Sequence, residues 1–275
     1  MHGEHHFDPP WPQANPGRRA LILSRELASK RGIPSLVWGV GQQRRLDLVV
    51  NALKLDADQP RRRLLVNGCG VGAYAKHMSP YFRCVDALDI EPSYLNQARA
   101  SQADLACVLS QCERLPFPSQ HFDVVFSHEV LEHVDDDGRA MGEMARVVRP
   151  DGYIVLFVPN RWFPFETHGC WWQGRYYFGN IPFVNYLPRQ YRDFLAPHVR
   201  TYNRRDLRRL WSDLPLRIAT WQIVPPALDA LGHTLPWLPA SLPQTMMRLS
   251  QSPFDLLGLS HFVVLQPAPR PCSVD

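Results

Sequence analysis

Between Arg63 and Asn160, five short apolar runs alternate with helical segments, and this alternation most narrows what the chain can fold into. The runs are RLLVN (63–67), CVDALDI (84–90), ACVLS (106–110), FDVVFSH (122–128) and YIVLFVPN (153–160). GAYAKHM (72–78), PSYLNQARAS (92–101) and DGRAMGEMARVVR (137–149) read as helices, with Pro92 suited to a first turn. In the last of these, Met141, Met144, Ala145 and Val148 form one face and PDG stops the helix. Asp135 to Asp137 stand at its positive end and Arg146 and Arg149 near its negative end, as the helix dipole favours. Near-continuous apolar strands separated by helices imply an α/β fold with a doubly wound, mostly parallel sheet covered on both faces. LRIATWQIV (216–224) and HFVVLQ (261–266) supply two late strands, for seven in all.

The first run leads straight into NGCGVG (67–72), with Gly68, Gly70 and Gly72 on alternate positions. Such a bare stretch can turn with positive φ and can admit a ligand against the main chain. In an open parallel sheet, ligands bind at the carboxyl ends of the strands, where this loop falls. Asp89 ends the second run about 20 residues on, where an acid accepts from ribose hydroxyls. These residues alone leave three readings: a nicotinamide dinucleotide site, another adenosine-containing cofactor, or a tight strand-to-helix turn with no ligand.

Further ordered motifs narrow the choice. Leu115-Pro116-Phe117, Phe122-Asp123, Leu131-Glu132-His133 and the turn from Arg146 to Gly152 follow the glycine loop in order. With it they resemble the class I S-adenosylmethionine-dependent methyltransferases of the ubiquinone/menaquinone-biosynthesis type, over roughly residues 60 to 160. The resemblance implies a Rossmann-like methyltransferase fold, S-adenosyl-L-methionine as cofactor, and a cofactor site of Asn67, Gly68, Cys69, Gly70, Gly72, Asp89, Ile90, Gln111, Cys112 and His128. Asn67 and Gln111 replace the family's usual aspartates, keeping an acceptor oxygen and losing the charge. A non-catalytic binding protein on the same scaffold is therefore an alternative, as is an NAD-dependent oxidoreductase.

After Asn160 the character changes. Residues 161–202 hold 13 of the chain's 30 aromatics, interrupted by Pro and Gly. Loops over the ligand edge of a sheet usually carry recognition, so this stretch is expected to form an acceptor lid, with a second small core as the alternative. Asn160, Trp162, Phe165, Trp171 and Trp172 are the expected acceptor-binding residues, and the expected acceptor is a small hydrophobic, aromatic or lipid-like molecule, with O-methylation favoured over C- or N-methylation. His168 and Glu166, in PFETHG, are candidate bases, or else a hydrogen-bonded loop pair. His128, at the end of the fourth run, lines the cleft or takes part in chemistry, whereas His133 reads as a packing residue.

The resulting division is an arm and helical cap at 1–59, a cofactor-binding core at 60–160, an acceptor lid at 161–215, and last strands with an apolar, Pro-rich insertion at 216–275. The cap includes RRALILSRELASK and QQRRLDLVVNALKL, with Leu46, Val49, Val50 and Leu53 on one helical face. DPPW (8–11) reads as a turn, and His2, His5 and His6 as surface residues, so no metal is expected. The six cysteines show no CxxC and read as reduced thiols. A net charge of +4 does not point to nucleic acid. No signal-like segment and no 18-residue apolar run occur, so a cytoplasmic protein is expected, with peripheral membrane contact through its apolar segments possible.

Overall fold

The structure is a computed structural model and describes residues 38–226 and 256–268. The DPPW turn, the His2, His5 and His6 group, the RRALILSRELASK helix, the Pro-broken apolar stretch and Cys272 lie outside the described residues. No helix among the described residues is long and apolar enough to cross a membrane.

A seven-stranded sheet forms the centre, built from β1 (Arg61–Asn67), β2 (Phe82–Asp89), β3 (Ala106–Leu109), β4 (Phe122–His128), β5 (Val148–Pro159), β10 (Leu216–Val224) and β11 (Ser260–Pro267). Their spatial order is β10-β11-β5-β4-β1-β2-β3, with β11 antiparallel to both neighbours and the other pairings parallel. The order reverses between β1 and β4, which opens a crevice at their carboxyl ends. Helices α1 (Val40–Leu53), α2 (Ala73–Met78), α3 (Pro92–Ser101) and α4 (Asp137–Val147) flank the sheet, followed by the short α5 (Arg189–Leu195) and α6 (Arg204–Leu210). The mostly parallel, doubly wound α/β sheet expected from the alternation is thus what forms.

Side chains one residue apart enter different cores, because strand positions alternate between the faces. Leu64, Val66, Val155, Phe157, Phe262 and Val264 pack with α1, α2 and α3. Leu65, Ile154, Leu156, Val158, Val263 and Leu265 pack with α4 and α6. Both faces are dry, which explains why these strands read as unbroken apolar runs. At the start of α4, the Asp136 carboxylate accepts from the Arg139 N–H at 2.8 Å, a capping interaction.

One boundary differs from the sequence reading. The helix ends at Val147, and β5 begins at Val148 and runs through Pro150-Asp151-Gly152. The β4–β5 register jumps from Phe122↔Val148 to Val124↔Tyr153, so these residues form a bulge within the strand rather than a stop before it. Gly152 is required there, since a Cβ would lie 2.7 Å from the Asp123 carbonyl oxygen. The bulge also accommodates Pro150, which cannot donate to a ladder.

The aromatic stretch forms two short ribbons. β6 (Phe165–Glu166) pairs with β9 (Ile181–Pro182), and β7 (Cys170–Trp172) with β8 (Arg175–Tyr177).

Candidate active site

The glycine loop crosses the carboxyl ends of β1 and β2. The N–H groups of Gly68 and Cys69 both donate to the Leu88 carbonyl at 2.8 Å. That of Gly70 donates to Asp89 Oδ2 at 2.7 Å, and that of Glu91 to Asp89 Oδ1 at 2.9 Å. Gly68, Gly70 and Gly72 have φ of +74°, +52° and +82°, values that side chains rarely tolerate. A Cβ on Gly68 would lie 2.3 Å from Val130 Cγ2, and one on Gly72 would lie 2.9 Å from the Ala98 Cβ. At these two positions the bareness serves close packing within the protein as well as the turn.

Above the loop lies a cavity of about 410 Å³. Of the expected cofactor residues, Gly68, Cys69, Gly70, Asp89, Ile90, Gln111, Cys112 and His128 line it, whereas Asn67 and Gly72 stand behind the wall. Asn67 is fully buried, with its amide in hydrogen-bonding reach of the Cys112 thiol. Burial pushes the Cys112 thiol up to about 12 and the Cys69 thiol up as well, so both face the cavity as neutral groups. His128 stacks its ring against Tyr74, with centroids 4.6 Å apart, and near Phe157, at 5.3 Å. Burial, then Arg45, pull its imidazole well below the usual range, and its Nε2 has no partner among the described residues.

Burial also raises the Asp89 carboxyl, against the pull of the backbone N–H groups it accepts from. The folded state therefore holds this proton more tightly than the unfolded chain. Folding stability from Asp89 is greatest below the ordinary carboxylate pKa and declines as pH rises through the raised folded value. A ligand that needs the ionised carboxylate shows the opposite trend: its affinity should fall as pH drops through that raised value. Titrating ligand affinity between pH 7 and 4 checks this, and Asp89→Asn should flatten the profile.

Across the cavity stands a polar corner. Glu129, directly after β4, adopts a left-handed φ of +55°, unusual for a residue with a Cβ. Its Oε2 lies 3.8 Å from His168 Nε2. On the other side of that ring, Nδ1 lies 3.1 Å from Glu166 Oε1, which also accepts from the His168 N–H at 2.9 Å. Glu166 Oε2 meets Arg192 Nη2 at 2.7 Å, and both of these side chains are 1% exposed. Burial alone would raise the Glu166 carboxyl, but the hydrogen bond and charge of His168, then Arg192, hold it down at about 2. Glu166 thus orients His168 and stands outside the cavity lining, whereas His168 and Glu129 line it. His133 lines it too, with Nδ1 3.0 Å from the His198 carbonyl. Burial, then His168, pull the His133 imidazole down to about 3. The Glu132 side chain is buried in hydrogen-bonding contact with Glu129, and burial, then Glu129, raise its carboxyl well above the usual range.

The expected acceptor residues are placed differently. Asn160 is buried, donating from Nδ2 to the carbonyls of Leu256 and Gly258 at 2.7 Å each and accepting from the Trp162 N–H at 3.1 Å. It fastens the end of β5 to the segment before β11. Trp162, Phe165, Trp171 and Trp172 are exposed and do not line the cavity. Sequence reasoning missed Glu129 and Arg192 and gave Glu132 no chemical role. The E-V-L-E-H spacing from Glu129 to His133 was a readable signal; nothing local marked Arg192.

Residues 65–156 match a family profile described as a methyltransferase domain. A malonyl-[acyl-carrier protein] O-methyltransferase of Serratia marcescens is 31% identical over 138 residues, covering 50% of this chain and 51% of that protein. A probable S-adenosylmethionine-dependent methyltransferase of Mycobacterium tuberculosis is 32% identical over 100 residues, 36% of each chain. The chain thus spans between about a third and about half of these relatives' length. Among solved structures, an S-adenosylmethionine-dependent methyltransferase from Mesorhizobium loti superposes with a TM-score of 0.54 at 19% identity. That likeness covers 79% of this chain and 95% of that one, and it shows a shared fold.

Proposed function

We propose, from the match of residues 65–156 to a methyltransferase domain and the S-adenosylmethionine-dependent methyltransferases among the relatives, that the chain is such an enzyme and that it methylates a hydroxyl oxygen of a small acceptor with an apolar or aromatic body. The observation that carries this reading is the single cavity that has the glycine loop and Asp89 on one wall and Glu129, His133 and His168 on the other.

The cofactor wall fits the expected ligand. A carboxylate has about four lone-pair sites, and Asp89 uses one on each oxygen for a backbone N–H, which leaves one on each for a ribose hydroxyl. Ile90 is exposed at 38% and offers an apolar cover beside it, and the amide of Gln111 offers both an acceptor and a donor. S-adenosylmethionine bound there supplies a methyl group on a positively charged sulfur, open to in-line displacement. The protein's part is chiefly alignment and exclusion of water.

The opposite wall favours a hydroxyl over a carboxylate acceptor. Glu129 repels a second anion, whereas a hydroxyl can donate to Glu129 Oε2 or His168 Nε2. As the new C–O bond forms and the C–S bond breaks, the hydroxyl proton passes to this pair. Tyr74, Phe126, Val130 and Leu259 in the cavity lining support an apolar body for the acceptor. The relatives named for malonyl-[acyl-carrier protein] O-methyltransferase support transfer to oxygen.

Two measurements test the reading. Asp89→Ala should weaken S-adenosylhomocysteine binding by about 1.5–3 kcal/mol, the range for hydrogen bonds to a charged group, as read by calorimetry on the folded variant. NADH should not bind, and an affinity for NADH above that for S-adenosylhomocysteine would restore the dinucleotide reading. Incubating the protein with methyl-labelled S-adenosylmethionine and a panel of phenols, aliphatic alcohols and malonyl thioesters should place label on the hydroxyl compounds. His168→Ala should then lower kcat more than it raises KM. Label confined to the malonyl carboxylate would overturn the hydroxyl assignment.

A further inference from the structure

The geometry points to a divalent first-row transition-metal site formed by Glu132, His133 and His168, with Glu129 beside it, in the acceptor wall of the cavity. One ligand atom from each of the first three lies within 4.8 Å of the others. Three atoms sharing an ion at about 2.1 Å in tetrahedral geometry stand about 3.4 Å apart, so the most widely separated of the three need to draw in by about an ångström.

Both imidazoles are oriented for ligation. His133 Nδ1 faces the His198 carbonyl at 3.0 Å, and a carbonyl only accepts, so the ring proton sits on Nδ1 and Nε2 presents a lone pair. His168 Nδ1 faces the Glu166 carboxylate at 3.1 Å, which Arg192 holds in place. Ligating histidines commonly donate their other ring N–H to a carbonyl or carboxylate in this way. His168 stands between two carboxylates, Glu166 at Nδ1 and Glu129 at Nε2. Either it carries both ring protons, or Nε2 and Glu129 share another cation.

Glu132 decides between these. It is 1% exposed and stands in hydrogen-bonding contact with the Glu129 carboxyl. Two carboxyl groups in contact need a proton or a cation between them, and the rings beside the pair offer lone pairs instead of protons. Glu129, in its left-handed conformation, holds a second carboxylate at the rim. Two imidazoles with carboxylates suit zinc, iron, cobalt, nickel or manganese better than magnesium. This inference departs from the metal-free expectation of the sequence and deepens the proposed transfer to oxygen. A hydroxyl on the ion would lose its proton more readily, with Glu129 left to receive it.

The test is metal binding itself, on the full chain after chelator treatment. Titration with CoCl2 should saturate at one equivalent with visible absorption, and ZnCl2 should displace the cobalt. MgCl2 at the same concentrations should not displace it. His133→Ala and His168→Ala should each weaken cobalt binding at least tenfold. Glu132→Gln keeps the volume and removes the buried charge, so the metal-free variant should melt no lower than wild type while losing cobalt affinity at least tenfold. Absence of a saturable equivalent would overturn the site, as would variants that bind cobalt like wild type. A Glu132→Gln variant that is destabilised but keeps its affinity would do so too. S-adenosylhomocysteine binding, measured on the same metal-free protein, reports separately on the methyltransferase reading.

Discussion

Replacing Arg192 with methionine should lower folding stability by about 3–5 kcal/mol, the cost of breaking one side of a buried ion pair. Arg192 and Glu166 meet at 2.7 Å and are each 1% exposed. Arg192 Nη1 also donates to the carbonyls of Ala196 and Val199. The substitution leaves the Glu166 carboxylate in a low-dielectric site with His168 as its remaining hydrogen-bond partner. The loss therefore comes mainly from an uncompensated buried charge, and Arg192→Met combined with Glu166→Gln should recover a substantial part of it. Urea denaturation of the two single variants and the double variant closes the cycle. A loss below about 1 kcal/mol in Arg192→Met would mean that the pair contributes geometry and little energy. Because Glu166 orients His168, the double variant should still show a lower kcat than wild type even where its stability returns.

The second large effect is expected at the glycine loop. Gly68→Val should abolish detectable S-adenosylhomocysteine binding. The new Cβ would stand 2.3 Å from Val130 Cγ2 and would require φ near +74° of a β-branched residue. Holding a side chain in that region costs about 1–3 kcal/mol before any clash is counted. Relief of strain would pull the loop away from the Leu88 carbonyl that its N–H groups now share. Combining Gly68→Ala with Val130→Ala removes the clash but keeps the unfavourable φ, so stability should return further than cofactor affinity does. Normal binding by a folded Gly68→Val protein would show that the loop can be rebuilt without this conformation.

All seven strands of the central sheet were legible because their signal is local. A strand covered on both faces must be apolar at every position, and RLLVN, FDVVFSH and YIVLFVPN are so within a few residues of where β1, β4 and β5 run. The turn glycines and Asp89 were legible for a related reason, since φ at a turn and an acid at a strand end are properties of single positions. The bulge at Pro150-Asp151-Gly152 was not: the same three residues stop a helix or bend a strand, and the pairing with β4 chooses between them.

The site divides along the same line. The amino-acid sequence by itself determined the cofactor wall, because each of its residues lies at the end of a strand whose place in the sheet follows from the alternation. Only the tertiary structure decided the opposite wall. Glu129, Glu132 and His133 follow β4, His168 comes from the first aromatic ribbons and Arg192 from α5, and no periodicity relates these segments. The same folding left Trp171 and Trp172 exposed and drew Glu166 inward to a charge 26 residues away. Composition marks a segment as rich in aromatics or acids, but which of them meet depends on long-range packing, and a buried charge is tolerated only where that packing brings its counter-charge.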